Sequence, residues 1–140
     1  LDAEDVTRSV RLLSKVQPLH SETGAVHAAG FYVPGEGIVI AREDVGRHNA
    51  LDKLAGALAK AGINGASGAV VVTSRVSVEM VQKTAAIGAS VIIAVSAPTA
   101  LAIRTAEAAG MTLVALVRGD DFDVFTHPDR VVCGVTKHVA

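Results

Sequence analysis

The amino-acid sequence predicts an α/β fold: a three-layer α/β/α domain with a mostly parallel mixed sheet of about five strands and an N-terminal hairpin. Short apolar runs alternate with helix-length segments, as parallel strands covered on both faces require. The apolar residues are mainly Ala and Val, with 3 Phe, 1 Tyr and no Trp, so sheet and helices can pack closely. A length of 140 residues with 50% hydrophobic content suffices for one core, and we expect a single domain over residues 1–140.

The N-terminal part of the sequence predicts a helix followed by a hairpin. Asp2 can cap a helix that reaches about Val16, because an apolar stripe recurs at helical spacing and Pro18 ends it. Strand-like runs follow over residues 26–33 and 38–42. The Pro-Gly-Glu-Gly sequence between them has the turn chemistry of an antiparallel hairpin.

The remaining sequence alternates helices and strands. We expect a helix from about Arg47 to Lys60, closed by Gly62, because apolar residues recur three and four positions apart. Gly88 and Gly110 are expected to end two further helices. Those helices are predicted over residues 76–87 and 99–109, and the further strands over residues 69–73, 91–95, 111–117 and, as a short last strand, 122–125.

Charge and hydropathy exclude several classes of partner. A formal net charge of -1 gives no field that would attract nucleic acid or an anionic membrane. The longest apolar stretch, near residues 91–95, is far shorter than the roughly 20 residues that span a bilayer, and no leader peptide opens the sequence. We therefore expect a cytoplasmic protein with neither a nucleic-acid nor a membrane partner.

Cys133 is the single cysteine, so an internal disulfide or a Cys-rich zinc site cannot form, as is usual in a reducing compartment. Its side chain is either a small buried hydrophobe beside Val131 and Val132 or a reactive thiol. The first residue is not Met and a charged helix begins at once. We therefore expect the chain to be a fragment of a longer protein.

Polar side chains follow the predicted strands at their carboxyl ends, where open parallel sheets bind ligands. Residues 41–53 contain six charged side chains and a histidine. A helix begins within this cluster, and the unpaired N–H groups of its first turn favour an anion. The candidate binding residues at the strand ends are Asp44, Arg47, His48, Ser74, Arg75, Ser96, Arg118, Gly119, Asp120 and Asp121.

Some of the polar residues near these strand ends also have a structural interpretation. Ser77 and Ser96 can act as helix N-caps. Arg75 can bind a phosphate or carboxylate, or it can pair with Glu79 one helical turn away. Both alternatives stay open at the level of sequence.

The histidines allow two interpretations as well. His48 stands four residues from both Asp44 and Asp52, a spacing typical either of an exposed carboxylate–histidine ladder or of a binding site. We favour the site, in which Asp44 and Arg47 fix a ligand and His48 donates to it. His27 lies in the first strand and is either a core histidine or a site residue.

The order of elements matches the cytidine-deaminase-like architecture, whose zinc enzymes need His-x-Glu and Pro-Cys-x-x-Cys to activate water. Here His48 precedes Asn-Ala and Pro98 precedes Thr-Ala-Leu, so we predict neither a metal site nor deamination. The P-loop, Gly-x-Gly-x-x-Gly and Gly-x-Ser-x-Gly signatures are also missing from the sequence.

Four blocks of the sequence resemble, in order, those of the FdhD-type formate dehydrogenase accessory sulfurtransferases. They are residues 23–29 (TGAVHAA), 42–53 (REDVGRHNALDK), 74–83 (SRVSVEMVQK) and 95–99 (VSAPT). The resemblance implies a cytidine-deaminase-like domain that pairs as a homodimer. It also implies a protein that receives sulfur from a cysteine desulfurase and passes it to the bis-molybdopterin guanine dinucleotide form of the molybdenum cofactor of formate dehydrogenase.

The resemblance implies roles for individual residues too. Guanosine diphosphate is an expected mimic of the cofactor, with Arg75 and Arg118 suited to the diphosphate and Asp44 or Asp120 suited to accept hydrogen bonds from guanine. In the family, the guanine dinucleotide is associated with a segment that aligns with Leu116, Val117, Arg118, Gly119, Asp120 and Asp121.

The sequence departs from the family at one point. Family members carry the persulfide-forming cysteine in a Cys-x-x-Cys loop upstream of the Thr-Gly-x-x-His block, whereas no cysteine precedes Thr23 here. Because sulfur relay needs a thiolate, we expect a chain with no catalytic residue that binds the cofactor but does not transfer sulfur. The alternatives are a non-catalytic cofactor chaperone or scaffold, and a small-molecule enzyme that uses His48 with Asp44 or Asp52.

Overall fold

The structure of the chain is a computed structural model that describes residues 1–16 and 26–131. Every predicted helix and strand is present in the predicted order, with small shifts at the ends. Pro18, the expected end signal of the first helix, lies outside the described residues. The helices are α1 (Ala3–Lys15), α2 (Arg47–Ala61), α3 (Val78–Ile87) and α4 (Ala100–Ala108). The strands are β1 (His27–Val33), β2 (Gly37–Asp44), β3 (Ala69–Val72), β4 (Val91–Ala94), β5 (Thr112–Arg118) and β6 (Asp121–Thr126).

The strands form one six-stranded sheet in the order β2-β1-β3-β4-β5-β6. The predicted α/β class and N-terminal hairpin are confirmed, but the sheet is less parallel than expected. β1 is antiparallel to both β2 and β3, and β6 is antiparallel to β5. Only the β3–β4 and β4–β5 pairings are parallel among the described strands. The difference arises because the first strand of the hairpin inserts between β2 and β3, and the short last strand completes an antiparallel edge.

Two apolar layers enclose the sheet, as predicted. Helices α2, α3 and α4 cover one face and α1 covers the other. The larger core includes Phe31, Leu51, Leu54, Met80, Ile92 and Leu113. The smaller core includes Val6, Leu13, Tyr32, Val71, Ile93 and Val114.

A buried polar contact fixes α1 to the sheet. Asp2 and Asp5 form a reciprocal capping box at the start of α1, in which each side chain accepts a hydrogen bond from the other's backbone N–H. Asp5 Oδ1 also accepts a hydrogen bond of 2.6 Å from the Tyr32 hydroxyl of β1. One carboxylate thus stabilises both the helix end and its packing on the sheet.

Strand β5 contains an irregularity near its carboxyl end. Leu116 has φ of 57°, a left-handed conformation that is unfavourable for a leucine, and the register with β6 shifts between Ala115 and Arg118. Ala115 and Leu116 both pack toward α2–α4, whereas Val117 packs toward α1. The bulge therefore directs the end of β5 toward the α1 face.

Candidate functional site

The predicted binding segments lie along one edge of the sheet. β2, β3, β4 and β5 run in the same direction, so their carboxyl ends share this edge, and the reversed strand β1 begins there. We call this edge the polar rim and define it by His27 and residues 44–48, 73–79, 96–99 and 116–121. Its ends at β2 and β5 are four strand spacings apart, about 19 Å at roughly 4.8 Å per spacing.

Asp44 is the last residue of β2 and is engaged within the protein. Its Oδ1 accepts a hydrogen bond of 2.9 Å from Gly46 N–H, and its Oδ2 lies 2.8 Å from Lys53 Nζ. The Lys53 hydrogen bond first, and then the Gly46 N–H, lower the pKa of Asp44 to about 2. The alternative interpretation, an Asp44–His48–Asp52 ladder along one helix face, does not form, because Asp44 precedes the helix and Asp52 pairs with Lys83 at 2.9 Å.

The N-terminus of α2 is positively charged and lacks a side-chain cap. Gly46 occupies the N-cap position, and the first intrahelical hydrogen bond runs from Ala50 N–H to Gly46 O at 3.0 Å. The first turn contains Arg47 and His48 and no acidic residue. Backbone donors and side-chain charges thus favour an anion at the same point.

The N-terminus of α3 lies next to that of α2. Ser77 occupies the N-cap position, as one interpretation predicted, but its buried Oγ makes no capping hydrogen bond. The backbone N–H of Glu79, the nearby Ser77 hydroxyl and the charges of His48 and Arg47 lower the pKa of the Glu79 carboxyl. The Glu79 carboxyl is thus held mainly at the start of its own helix, and within the described residues it forms no salt bridge with Arg75.

The rim hydroxyls point inward and hold neighbouring loops together. Ser74 is buried, and its Oγ contacts Met80 Sδ at 3.7 Å. Ser96 Oγ donates to Thr73 O at 3.4 Å. The expected N-cap role of Ser96 is wrong, because Thr99 caps α4 by accepting a hydrogen bond of 3.1 Å from Ala102 N–H.

Two arginines of the rim are exposed and have no acidic partner in the part of the chain that the structure describes. Arg75 follows β3 and Arg118 ends β5. Within residues 1–16 and 26–131 neither guanidinium forms a salt bridge. Of the predicted site residues, these two and Arg47 are therefore the side chains best placed to receive an anionic ligand.

The β5–β6 turn forms a separate part of the rim. Gly119 and Asp120 connect the strands and lie against α1, where they line an open cavity of about 280 Å³. The lining of that cavity includes neither Asp44, Arg75 and Ser96 nor Arg118. The predicted site is thus one edge with two groups: the starts of α2 and α3, and the turn that carries Arg118, Asp120 and Asp121.

His27 belongs to the rim, although the sequence left its role open. It is not among the polar residues that follow strands, because His27 opens β1 and reaches this edge only through the antiparallel direction of that strand. The one available signal was its polarity in an otherwise apolar run.

No group of three or more His, Cys, Asp and Glu side chains in the two described ranges is arranged to hold a metal ion. No helix within them is long and apolar enough to cross a bilayer. Cys133 and its possible thiol chemistry lie outside the described residues.

The fold and the rim define a class: a mixed open-sheet α/β domain whose polar residues collect at one end of its central strands. Comparison with known proteins identifies the family within that class. Residues 1–132 match the model of the FdhD/NarQ family, and the chain belongs to this family. The resemblance found in the sequence is thereby confirmed.

Relatives of known name agree with this membership. The chain is 62% identical over 128 residues to sulfur carrier protein FdhD of Agrobacterium fabrum, covering 91% of this chain and 47% of that protein. It is 57% identical over 130 residues to sulfur carrier protein FdhD of Brucella melitensis, covering 93% and 48%. A crystal structure of a proposed formate dehydrogenase accessory protein from Desulfotalea psychrophila superposes with a TM-score of 0.88 at 33% identity, covering 94% of this chain and 56% of that one. The chain spans about half the length of the curated relatives it matches.

Proposed function

We propose that this chain is the cofactor-binding part of a sulfurtransferase that matures formate dehydrogenase. In this proposal it binds the guanosine diphosphate portion of the bis-molybdopterin guanine dinucleotide cofactor. The names of the relatives, sulfur carrier protein FdhD and formate dehydrogenase accessory protein, support the role. The sulfur donor is a cysteine desulfurase, the recipient is the cofactor destined for formate dehydrogenase, and the protein works as a homodimer in the cytoplasm.

The observation that carries the proposal is the charge at the polar rim. The guanidinium groups of Arg75 and Arg118, which form no salt bridge with any described residue, lie on the same edge as the uncapped, cationic start of α2. A guanidinium can form paired hydrogen bonds with phosphate oxygens, and free helix N–H groups bind the same oxygens. The donor set therefore fits a diphosphate.

The acidic residues of the β5–β6 turn fit the guanine. Guanine presents N–H donors, and an exposed carboxylate can accept from two of them at once. Asp120 and Asp121 are exposed at the turn, whereas Asp44 is already engaged by Lys53, Gly46 and Asn49. We therefore assign guanine recognition to the turn and no longer to Asp44.

The contribution of this chain is binding and orientation. When bound, the cofactor supplies the group that accepts the transferred sulfur. The persulfide needs a thiolate, and no cysteine precedes residue 133 in this chain. The described residues would hold the phosphates and the base while a thiol outside them carries the sulfur.

Calorimetric titration of the chain with guanosine diphosphate and adenosine diphosphate tests the binding proposal. We expect guanosine diphosphate to bind more tightly. Arg75→Ala and Arg118→Ala should each weaken its binding about 5–10-fold, as expected for one hydrogen bond at an exposed site. Arg104→Ala, an exposed arginine on α4, is the matched control and should bind like the original chain. Equal or absent heats for both nucleotides in a folded sample would refute the proposal.

Sulfur transfer is tested on the full-length protein. A cysteine desulfurase supplied with labelled cysteine should load it with persulfide sulfur. A full-length protein that accepts no sulfur but binds the cofactor would favour the scaffold alternative.

A further inference from the structure

We infer that His27 is a phosphate-binding residue at the centre of the polar rim. The inference rests on the proposed function, since it names a further contact to the same nucleotide. It starts from the direction of β1, which brings its first residue between the loops that lead into α2 and α3.

The backbone on both sides of His27 is held in place. Its cross-strand partner in β2 is Asp44, at a Cα separation of about 4.5–5.5 Å. On the other side, Ala28 N–H donates to Thr73 Oγ1 at 3.0 Å and Thr73 N–H donates to Ala28 O at 3.1 Å. A side chain on a backbone clamped in this way is preorganised for binding.

His27 projects toward the cationic start of α2. Side chains alternate along a strand, and Ala29, two residues further along β1, belongs to the core under α2–α4. His27 therefore projects from the face covered by those helices. Its neighbour Asp44 already engages Gly46, the N-cap residue of α2. The imidazole thus lies between the α2 start, which carries Arg47, and the loop that carries Arg75.

The imidazole is available to a ligand. His27 is half-buried, and no hydrogen bond or ion pair of its ring is formed within the described residues. Of the acidic groups on the neighbouring elements, Asp44 pairs with Lys53, and the carboxyl of Glu79 is held mainly by its own backbone N–H at the start of α3. A ring N–H with no internal acceptor, next to guanidinium groups and free helix amides, matches a phosphate oxygen in charge and in hydrogen bonding.

The test uses inorganic pyrophosphate, guanosine diphosphate and guanosine as calorimetric probes of the chain. His27→Ala should weaken the binding of pyrophosphate and guanosine diphosphate about 5–10-fold, a loss typical of one hydrogen bond at a half-buried site, and should leave the binding of guanosine unchanged. His27→Gln, which keeps an N–H donor, should recover part of that affinity. His127→Asn is the matched control, because His127 pairs with Glu107 on α4 and Asn tolerates its left-handed φ of 42°.

The outcomes separate this inference from the proposed function. If Arg75→Ala weakens guanosine diphosphate and both His27 variants bind like the original chain, the inference is wrong and the proposed function stands. An equal loss of guanosine affinity in His27→Ala would also overturn it, because the residue would then act on the base or on the fold. If the original chain binds neither pyrophosphate nor guanosine diphosphate, both are wrong. Thermal unfolding confirms that each variant is folded, and a shift of the His27 ring-proton resonances on adding pyrophosphate provides a direct readout without mutation.

Discussion

Replacing Tyr32 by Phe removes one hydroxyl and keeps the ring, so it tests the polar contact of that hydroxyl with Asp5 and Arg8 of α1. The Tyr32 hydroxyl donates to Asp5 Oδ1 at 2.6 Å, and both residues are buried. A hydrogen bond to a charged acceptor contributes about 1.5–3 kcal/mol. We expect the substitution to lower the free energy of unfolding by about 1.5–2 kcal/mol, the low end of that range. The loss is at the low end because Asp2 N–H still donates to the other carboxylate oxygen of Asp5 at 3.0 Å.

Urea unfolding at several pH values measures this loss. Burial raises the pKa of Asp5, but the hydrogen bonds from Asp2 and Tyr32 outweigh it, so the pKa lies below its ordinary value of 3.8. A lowered folded pKa means that the stabilisation is complete above 3.8 and is lost as the pH falls through the folded value. The difference in the free energy of unfolding between the original chain and Tyr32→Phe should therefore be largest at pH 7 and should become smaller below pH 4. A difference under about 0.5 kcal/mol at neutral pH, or one that stays constant into the acid range, would refute the role given to this bond.

Two further predictions concern stability. Asp44→Asn should flatten the acid limb of the curve of stability against pH. Because Lys53 lowers the pKa of Asp44, the contribution of this carboxylate to stability is present above pH 3.8 and is lost toward its folded pKa of about 2. Urea midpoints between pH 2 and pH 6 check this, and parallel curves for the variant and the original chain would contradict it. Gly65→Ala should lower the free energy of unfolding by about 2–4 kcal/mol, because the added Cβ would lie 2.2 Å from the backbone O of Ile87. Gly56→Ala should instead raise the free energy of unfolding by about 0.5–1 kcal/mol, because nothing lies within 4 Å of the added Cβ. Thermal unfolding compares the two variants.

Much of the fold is predictable from local sequence because its signals are local. Apolar periodicity predicts every helix and strand, and Gly62 and Gly88 end α2 and α3 in the left-handed conformation, where their N–H groups return to helix carbonyls. Strand order is not a local property. The insertion of β1 between β2 and β3 depends on which apolar faces pack together, and an expectation of a mostly parallel sheet followed from element order alone.

The candidate site shows the same division between what local sequence predicts and what depends on tertiary contacts. Residue types at strand ends correctly indicate a polar edge, yet they do not reveal which side chains are already used. Asp44 is paired by Lys53, nine positions further along the chain, and the hydroxyls of Ser74 and Ser96 bond inward. His27 was left undecided because it comes before a strand. Only tertiary contacts separate a free arginine from an engaged carboxylate.

The left-handed Leu116 lets β5 contain one more residue than a simple alternation of sides allows. Leu116 packs on the same side as Ala115, so the bulge absorbs the extra residue, and Val117 packs toward α1 as it would if it followed Ala115 directly. Deleting Leu116 would therefore restore the simple alternation and leave Val117 and Arg118 on their present sides. The strand can thus lose one residue at this point without turning the guanidinium away from the rim.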